Sequence, residues 1–400
     1  MQQLDDLAQP YVEALVTTLK KEGHLSSPLV EAAFRRVPRH PFIDHFFLHE
    51  RRNDRRVRWR HIQPSSLQDT EAWLQAIYTN EPLITAYDEA GVHNPTSSSS
   101  SPAAMALMLE ASELCPGLRV LEIGTGTGYN AGLLASIVGN PHHVFTVEIE
   151  AGLAQRAQQK LDQVVGEGIT VYAGDGLKGY APGAPYDRIL ATGSYYKVPL
   201  AWLDQLRPGG IILMNLRGHL GPCAFLKVVK VGPQRAAHGT FLSASSFMEL
   251  HDADAPSRKL TDLVAQYFAR PVTTQVACAC TEFDPSLLWE DHRLDFLLQL
   301  SFPHMYLTSV GMDPMCPSLI DVASDTMLVF RPTEHKSEWV VEIKGKQQLW
   351  HEVAKAYQVW VATGKQEVSS YLLEIDEIGN QAVLLANRET GYVRLPLVSL

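Results

Sequence analysis

Apolar residues recur along the first forty positions with a helical period. Val12, Leu15, Val16 and Leu19 fall at i, i+3, i+4 and i+7, so they line one face of a helix that Gly23 is expected to end. Ser26 or Ser27 then reads as the N-cap of a second helix with Pro28 in its first turn, and Val30, Ala33, Phe34 and Val37 supply its stripe up to Pro38. From Phe42 to Tyr78 the pattern dissolves into a polar, basic insert without a clear core face, crowded with Arg51, Arg52, Arg55, Arg56, Arg58 and Arg60. Such clusters are commonly solvated faces; the other reading here is docking of an acidic or phosphorylated partner. The serine run from Thr96 to Ser101 has the composition of a flexible linker, yet it stands directly before Pro102 and the apolar Met105, Leu107, Met108 and Leu109. Ser100 or Ser101 is therefore expected to cap a helix that begins at Pro102.

From Arg119 the period alternates between strand and helix. Val120–Ile123, Val144–Val147, Ile169–Tyr172, Arg188–Ala191 and Ile211–Met214 read as strands, with helical stretches such as Ala151–Val164 and Leu200–Leu206 between most of them. That alternation predicts βαβ units and a parallel sheet, a doubly wound α/β domain. A polar junction at Asp252–Ser257 precedes a smaller unit with strands at Thr326–Phe330 and Trp339–Ile343, a helix carrying Leu349, Val353, Tyr357 and Trp360 on one face, and a last strand near Tyr371–Ile375. Trp339, Trp350, Tyr357 and Trp360 are either core or aromatic contact area, with the helical stripe favouring core for Tyr357 and Trp360. The expected division is an N-terminal segment (1–95), a nucleoside-binding core (96–256) and an α+β accessory domain (257–400) that offers surface for peptide recognition.

At 400 residues the chain exceeds what one hydrophobic core usually organises. With 34 Lys and Arg against 44 Asp and Glu, a formal charge of −10, no global grip on nucleic acid or anionic lipid is expected. The polar N-terminus lacks the pattern of a secretion signal and no apolar stretch approaches a membrane span, so a cytoplasmic protein without membrane partners is expected. Cys115, Cys223, Cys278, Cys280 and Cys316 are sparse and odd in number, which fits reduced thiols. Cys278 and Cys280 with Cys316 and His304 have poor zinc spacing, and no metal is expected.

The candidate chemistry lies at Gly124-Thr125-Gly126-Thr127-Gly128, where a strand runs into an apolar helix. A dinucleotide loop calls for glycine at position 129, where this chain has tyrosine, which weakens a pyrophosphate site. Close backbone approach at Gly124 and Gly126 suits instead the methionine and ribose of S-adenosylmethionine. Glu148 ends the next strand, where an acidic side chain accepts ribose hydroxyls, and Asp175, beside Gly176 after the third strand, is placed to bond an adenine amino group.

These residues resemble the protein-L-isoaspartate O-methyltransferases over about residues 10–250, interrupted by the insert at 44–77. The likeness rests on Leu19-Lys20-Lys21-Glu22-Gly23, Val37-Pro38-Arg39-His40-Pro41-Phe42, Ser100-Ser101-Pro102, Leu121 to Tyr129, Gly174-Asp175-Gly176, Pro185-Tyr186-Asp187, Gln205 to Gly210 and a late strand at Phe247–Leu250. The resemblance implies a Rossmann-like class I methyltransferase, with S-adenosylmethionine held by Ser99, Ser100, Glu122, Gly124, Thr125, Gly126, Gly128, Glu148, Asp175 and Gly176. It also implies Ser100 as the residue at the reacting carboxylate. Departures are the serine-rich stretch before Pro102, the arginine-rich insert and the domain after residue 256. The extended architecture resembles homologues that accompany lanthipeptides, graspetides and lasso peptides. In those the implied target is a normal Asp of a modified precursor peptide, whose ester closes to an aspartimide.

An Asp side chain is already ionised at neutral pH, so esterifying it needs placement against the donor methyl rather than a base. Three readings stay open: methylation of a modified peptide, repair of isoaspartyl proteins, and a peptide-binding protein without catalysis. The intact loop, Glu148 and Asp175 speak against the last.

Overall fold

The computed structural model describes residues 2–51, 57–64, 67–87, 95–221, 223–245, 247–250, 260–310, 316–335, 337–387 and 391–396. Helix α1 (Gln2–Lys21) starts well before the apolar stripe and carries Pro10 inside it; Gly23, at φ +79°, follows its end. Ser27 accepts the Leu29 amide and caps α2 (Pro28–Arg36), as its sequence pattern predicts.

The basic insert departs from expectation, because it has a core of its own. Strands β1 (Phe46–Arg51) and β2 (Val57–Ile62), helix α3 (Leu67–Ile77), and strands β3 (Leu83–Tyr87) and β4 (Pro95–Ser99) build an antiparallel sheet of order β2-β1-β3-β4. Phe46, Trp73, Leu74, Ile77 and Tyr78 are buried. The insert's apolar groups, Phe46-Phe47-Leu48 and the helically spaced Trp73, Leu74, Ile77 and Tyr78, lie on either side of the arginine-rich stretch, which masks them in the average over the insert. The serine run is strand β4 rather than linker, with Ser97 and Ser99 buried and Ser98 and Ser100 half-buried in strand alternation. Arg52, Arg55 and Arg56 lie outside the described residues, as do the side chains of Arg51 and Arg58; Arg60 is exposed.

Ser101, not Ser100, caps α4 (Pro102–Ala111), its hydroxyl accepting from the Ala104 amide. There follow β5 (Val120–Ile123), α5 (Tyr129–Val138), β6 (Val144–Glu148), α6 (Ala151–Val164), β7 (Thr170–Ala173), β8 (Tyr186–Tyr195), α7 (Leu200–Gln205) and β9 (Leu206–Arg217). The strands lie in the order β9-β8-β5-β6-β7, with β5–β6, β6–β7 and β5–β8 parallel. The chain winds outward from β5 to β7 and returns to β8 on the other side of β5. That reversal opens a crevice at the carboxyl ends of β5 and β8, where such sheets bind ligands. Residues 247–250 form an isolated bridge at Glu249 rather than the expected strand, and pack so closely that a Cβ on Gly193 would lie 2.4 Å from Leu250.

The chain divides into two compact units at other places than the sequence suggests. Met1–Gly193, Pro199–Met214 and Phe247–Ala253 form one, so the N-terminal segment and the core are not separate. Ser194–Val198, Asn215–Ser246 and Asp254–Leu400 form the other. The sequence boundary near 256 lies close to the break between Ala253 and Asp254, but the stretch before it also gives Ser194–Val198 and Asn215–Ser246 to the second unit: β10 (Cys223–Lys230) pairs with β11 (Ala237–Ser245), which runs antiparallel to β17 (Tyr371–Ile375). The junction at 252–257 lies outside the described residues.

Besides those strands the second unit holds α8 (Leu260–Phe268), β12 (Thr274–Ala279), α9 (His292–Ser301), β13 (Met305–Val310), β14 (Cys316–Asp321), β15 (Thr326–Pro332), β16 (Glu338–Lys344) and α10 (Gln348–Ala362). Beyond β17, two further strands, β18 (Gln381–Asn387) and β19 (Gly391–Pro396), extend the expected end of the fold. A five-stranded antiparallel sheet, β12-β16-β15-β14-β13, packs Ile320, Met327 and Val329 against Leu263 and Tyr267 of α8. Trp350, Tyr357 and Trp360 are buried, which removes them from any contact surface; Trp339 is half-buried. Cys278 donates to the Phe283 carbonyl, and among the described residues no His, Cys, Asp and Glu gather as a metal site. No helix among them is long and apolar enough to cross a membrane.

Candidate active site

The glycine loop leaves β5 at the crevice, and its conformation is fixed by what crosses it. Gly124 has φ +92°, and a Cβ there would lie 2.7 Å from the Thr192 hydroxyl, which itself donates to the carbonyls of Ile123 and Gly124. Gly126 has φ +53°, and a Cβ there would stand 3.3 Å from the Ser98 carbonyl oxygen. The loop thus comes up against strand β4, bringing the serine run to the ligand loop. Gly128 is the N-cap of α5. Tyr129, where a dinucleotide loop has glycine, is buried against Phe34 and Phe42 at ring separations of 6.4 and 5.7 Å, so it joins α5 to the N-terminal helices.

Glu148 ends β6 at the same crevice. One carboxylate oxygen accepts the Gly126 amide at 2.9 Å and the other accepts the Glu150 amide at 3.2 Å, leaving further lone pairs on each for a ligand. The exposed Ile149 follows it, an apolar surface beside an acid. Asp175 follows β7, accepts the Leu177 amide at 2.9 Å as a cap, and lies 3.4 Å from Lys178. Gly176 packs over β5 so tightly that a Cβ would meet Ile123 at 2.5 Å.

Glu122 differs from expectation. It is fully buried beneath the loop, one oxygen accepting from Asn130 at 2.8 Å and the other from Thr146 at 2.6 Å. Thr125 in turn shares a 2.7 Å hydroxyl contact with Thr146. Glu122 therefore braces the loop from below and does not line the crevice. Burial raises its carboxyl to about 7 against the two stabilising hydrogen bonds.

Arg39, which the sequence marks only by its Val-Pro-Arg setting, is also a working residue. It is fully buried and its guanidinium spans two elements, donating to the carbonyls of Ile77, Thr79 and Glu81 after α3 and to the Ser99 hydroxyl and the carbonyls of Ser99 and Ser100. Ser100 is thus held in place through its own backbone. A cavity of about 50 Å³ beside Gly126 and Thr127 is walled by Phe42, His45, Thr85 and Lys160. A larger one, about 300 Å³, lies near Asp5, Val12, Arg35 and Gln163, among none of the candidate residues.

Residues 67–230 match the family model for protein-L-isoaspartate(D-aspartate) O-methyltransferase. A protein-L-isoaspartate O-methyltransferase of Pyrococcus horikoshii is 31% identical over 215 residues, covering 54% of this chain and 81% of the relative. The chain belongs to the protein-L-isoaspartate O-methyltransferase family. Another such methyltransferase, from Ignicoccus hospitalis, is 44% identical over 131 residues, 33% of this chain, and there the chain covers 62% of the relative's length. A solved structure named protein-L-isoaspartate O-methyltransferase matches with TM-score 0.53 at 21% identity, covering 94% of this chain and 99% of its own, so likeness in fold is not confined to the methyltransferase core. The family's methyl donor, S-adenosylmethionine, fits the residues present: a Cβ at Gly124 or Gly126 would crowd the loop, and Glu148 keeps acceptor capacity at the crevice.

Proposed function

We propose that this chain transfers a methyl group to the free α-carboxylate of an isoaspartyl residue in peptides and proteins. The observation that carries the reading is the approach of Gly126 to Ser98, which sets the serine run against the cofactor loop, in a family whose relatives bear that activity in their names. S-adenosylmethionine, when bound, supplies an electrophilic methyl on a sulfonium. The chain's task is then to bind, orient and exclude water. Glu148 offers acceptors to ribose hydroxyls, with Asp175 facing the base and Ile149 giving it an apolar surface; the backbone of Gly124, Thr125, Gly126 and Gly128 lies along the rest. Glu122 acts one layer below. Ser100 donates its hydroxyl to one carboxylate oxygen and leaves the other free for in-line attack, so the chemistry is mostly a matter of placement.

A second reading, esterification of a normal Asp in a modified precursor peptide with closure to an aspartimide, is favoured by the insert. Its sheet is continuous with the serine strand through β3–β4 pairing, and one of its faces gathers Phe47, His61 and Tyr87, with Phe47 5.1 Å from His61 and 4.7 Å from Tyr87. Such a face supplies contact area beyond a single carboxylate, which choosing one Asp among many requires. The test is methyl transfer to an isoaspartyl peptide set against a cyclised and a linear Asp precursor. Turnover of the isoaspartyl peptide alone supports repair, and turnover of the cyclised peptide alone supports the second reading.

A further inference from the structure

Among the described residues, no anion cancels the formal charge of Arg39. Its partners are five backbone carbonyls and one hydroxyl, and among the described residues the charged or polar groups acting on it are the phenols of Tyr78 and Tyr129, with no carboxylate. Buried cations are ordinarily paired with an anion, because desolvation makes a lone one costly. The cost is visible in its titration, which burial lowers to about 10, still far above neutrality, so the charge persists. Carbonyls at the C-terminal end of α3 soften it by their dipoles without cancelling it. The guanidinium bonds to the residue before Ser100 and to Ser100 itself, so its field emerges at the half-buried Ser100.

We propose that Arg39 is a positioning residue for the substrate: its unpaired charge, held beneath Ser99 and Ser100, is completed by the carboxylate that is to be methylated. The proposal rests on the reading that Ser100 faces that carboxylate. During transfer the carboxylate oxygen forms a bond to the methyl carbon, the sulfur–methyl bond breaks, and its electron pair stays on sulfur. The substrate thereby loses its negative charge. Attraction to Arg39 is strongest before reaction and vanishes in the neutral ester, so Arg39 acts on capture of substrate and release of product more than on the chemical step.

The test is calorimetric titration of the full chain, saturated with S-adenosylhomocysteine, with an isoaspartyl peptide and with the methyl ester of the same peptide. The wild type is expected to bind the carboxylate peptide at least tenfold more tightly. Because the source is buried, most of that preference is expected to survive 0.5 M salt. Arg39→Gln is expected to bring the two affinities within about threefold, with the peptide KM up about tenfold or more, a larger change than any fall in kcat. If Arg39→Gln does not fold, Ser99→Asp, which sets a carboxylate against the retained guanidinium, is expected to abolish the preference likewise. A preference that persists in either folded variant, or that salt removes in the wild type, overturns the proposal for Arg39. A wild type that discriminates neither peptide overturns the placement of substrate at Ser100 as well, so the two failures are distinct.

Discussion

Neighbouring serines with different partners make the sharpest contrast at the level of single residues. Ser101 caps α4 and Ser100 does not, so Ser101→Ala is expected to lower stability by about 1 kcal/mol with normal activity per folded molecule. Ser100→Ala is expected to cut methyl transfer while leaving the melting temperature and cofactor affinity nearly unchanged; thermal melts run beside single-turnover assays separate the two. Glu148→Ala removes an acceptor from the crevice and the tie to the Gly126 amide, and calorimetry is expected to show S-adenosylmethionine binding weakened roughly tenfold or more. Glu122 gives a pH signature. Its carboxyl titrates near 4.5 unfolded and about 7 folded, so its stabilising share is complete below pH 4.5 and fades as pH rises through 7. Urea midpoints across that range are expected to fall more steeply in the wild type than in Glu122→Gln, which keeps the shape of the side chain without a charge to bury. Equal slopes would contradict that assignment.

Among the elements, those with strong periodicity were legible in the sequence and those with diluted periodicity were not. Helix α6 begins and ends where its pattern predicts, and the strand that carries the glycine loop does too, because both present continuous apolar positions to the core. The insert is hard to read because its short apolar groups, Phe46-Phe47-Leu48, Trp73-Leu74 and Ile77-Tyr78, are separated by a long arginine-rich polar stretch, and burial in three dimensions collects what the sequence disperses. The same holds for β4: serines have weak strand preference, and only pairing with β3 makes them a strand. Trp73→Ala is accordingly expected to destabilise the first unit by about 3–5 kcal/mol, a loss a solvated appendage would not show. Denaturant titration measures it. Glu122, which the resemblance implies as a cofactor contact, is instead a brace, because motif spacing locates a residue along the strand without saying whether it points into the crevice or below it.

The whole chain shares a family with enzymes that act on isoaspartate, and it carries, in its insert and second unit, strands that the sequence motifs alone do not explain. Site motifs were legible because each follows a strand end, where the doubly wound sheet places its ligands. The division into units was legible only in part, because β10 and β11 lie within the stretch assigned to the core yet pair with each other, and β11 with β17 after residue 370. The activity proposed for the chain is methyl transfer from S-adenosylmethionine to an isoaspartyl carboxylate. Its most direct test is incubation of the full chain with methyl-labelled S-adenosylmethionine and three versions of one peptide, bearing isoaspartate, aspartate or asparagine at the same position. The expected result is base-labile label on the isoaspartyl peptide alone, lost with Ser100→Ala. Label on the aspartyl peptide with none on its isoaspartyl counterpart would contradict it.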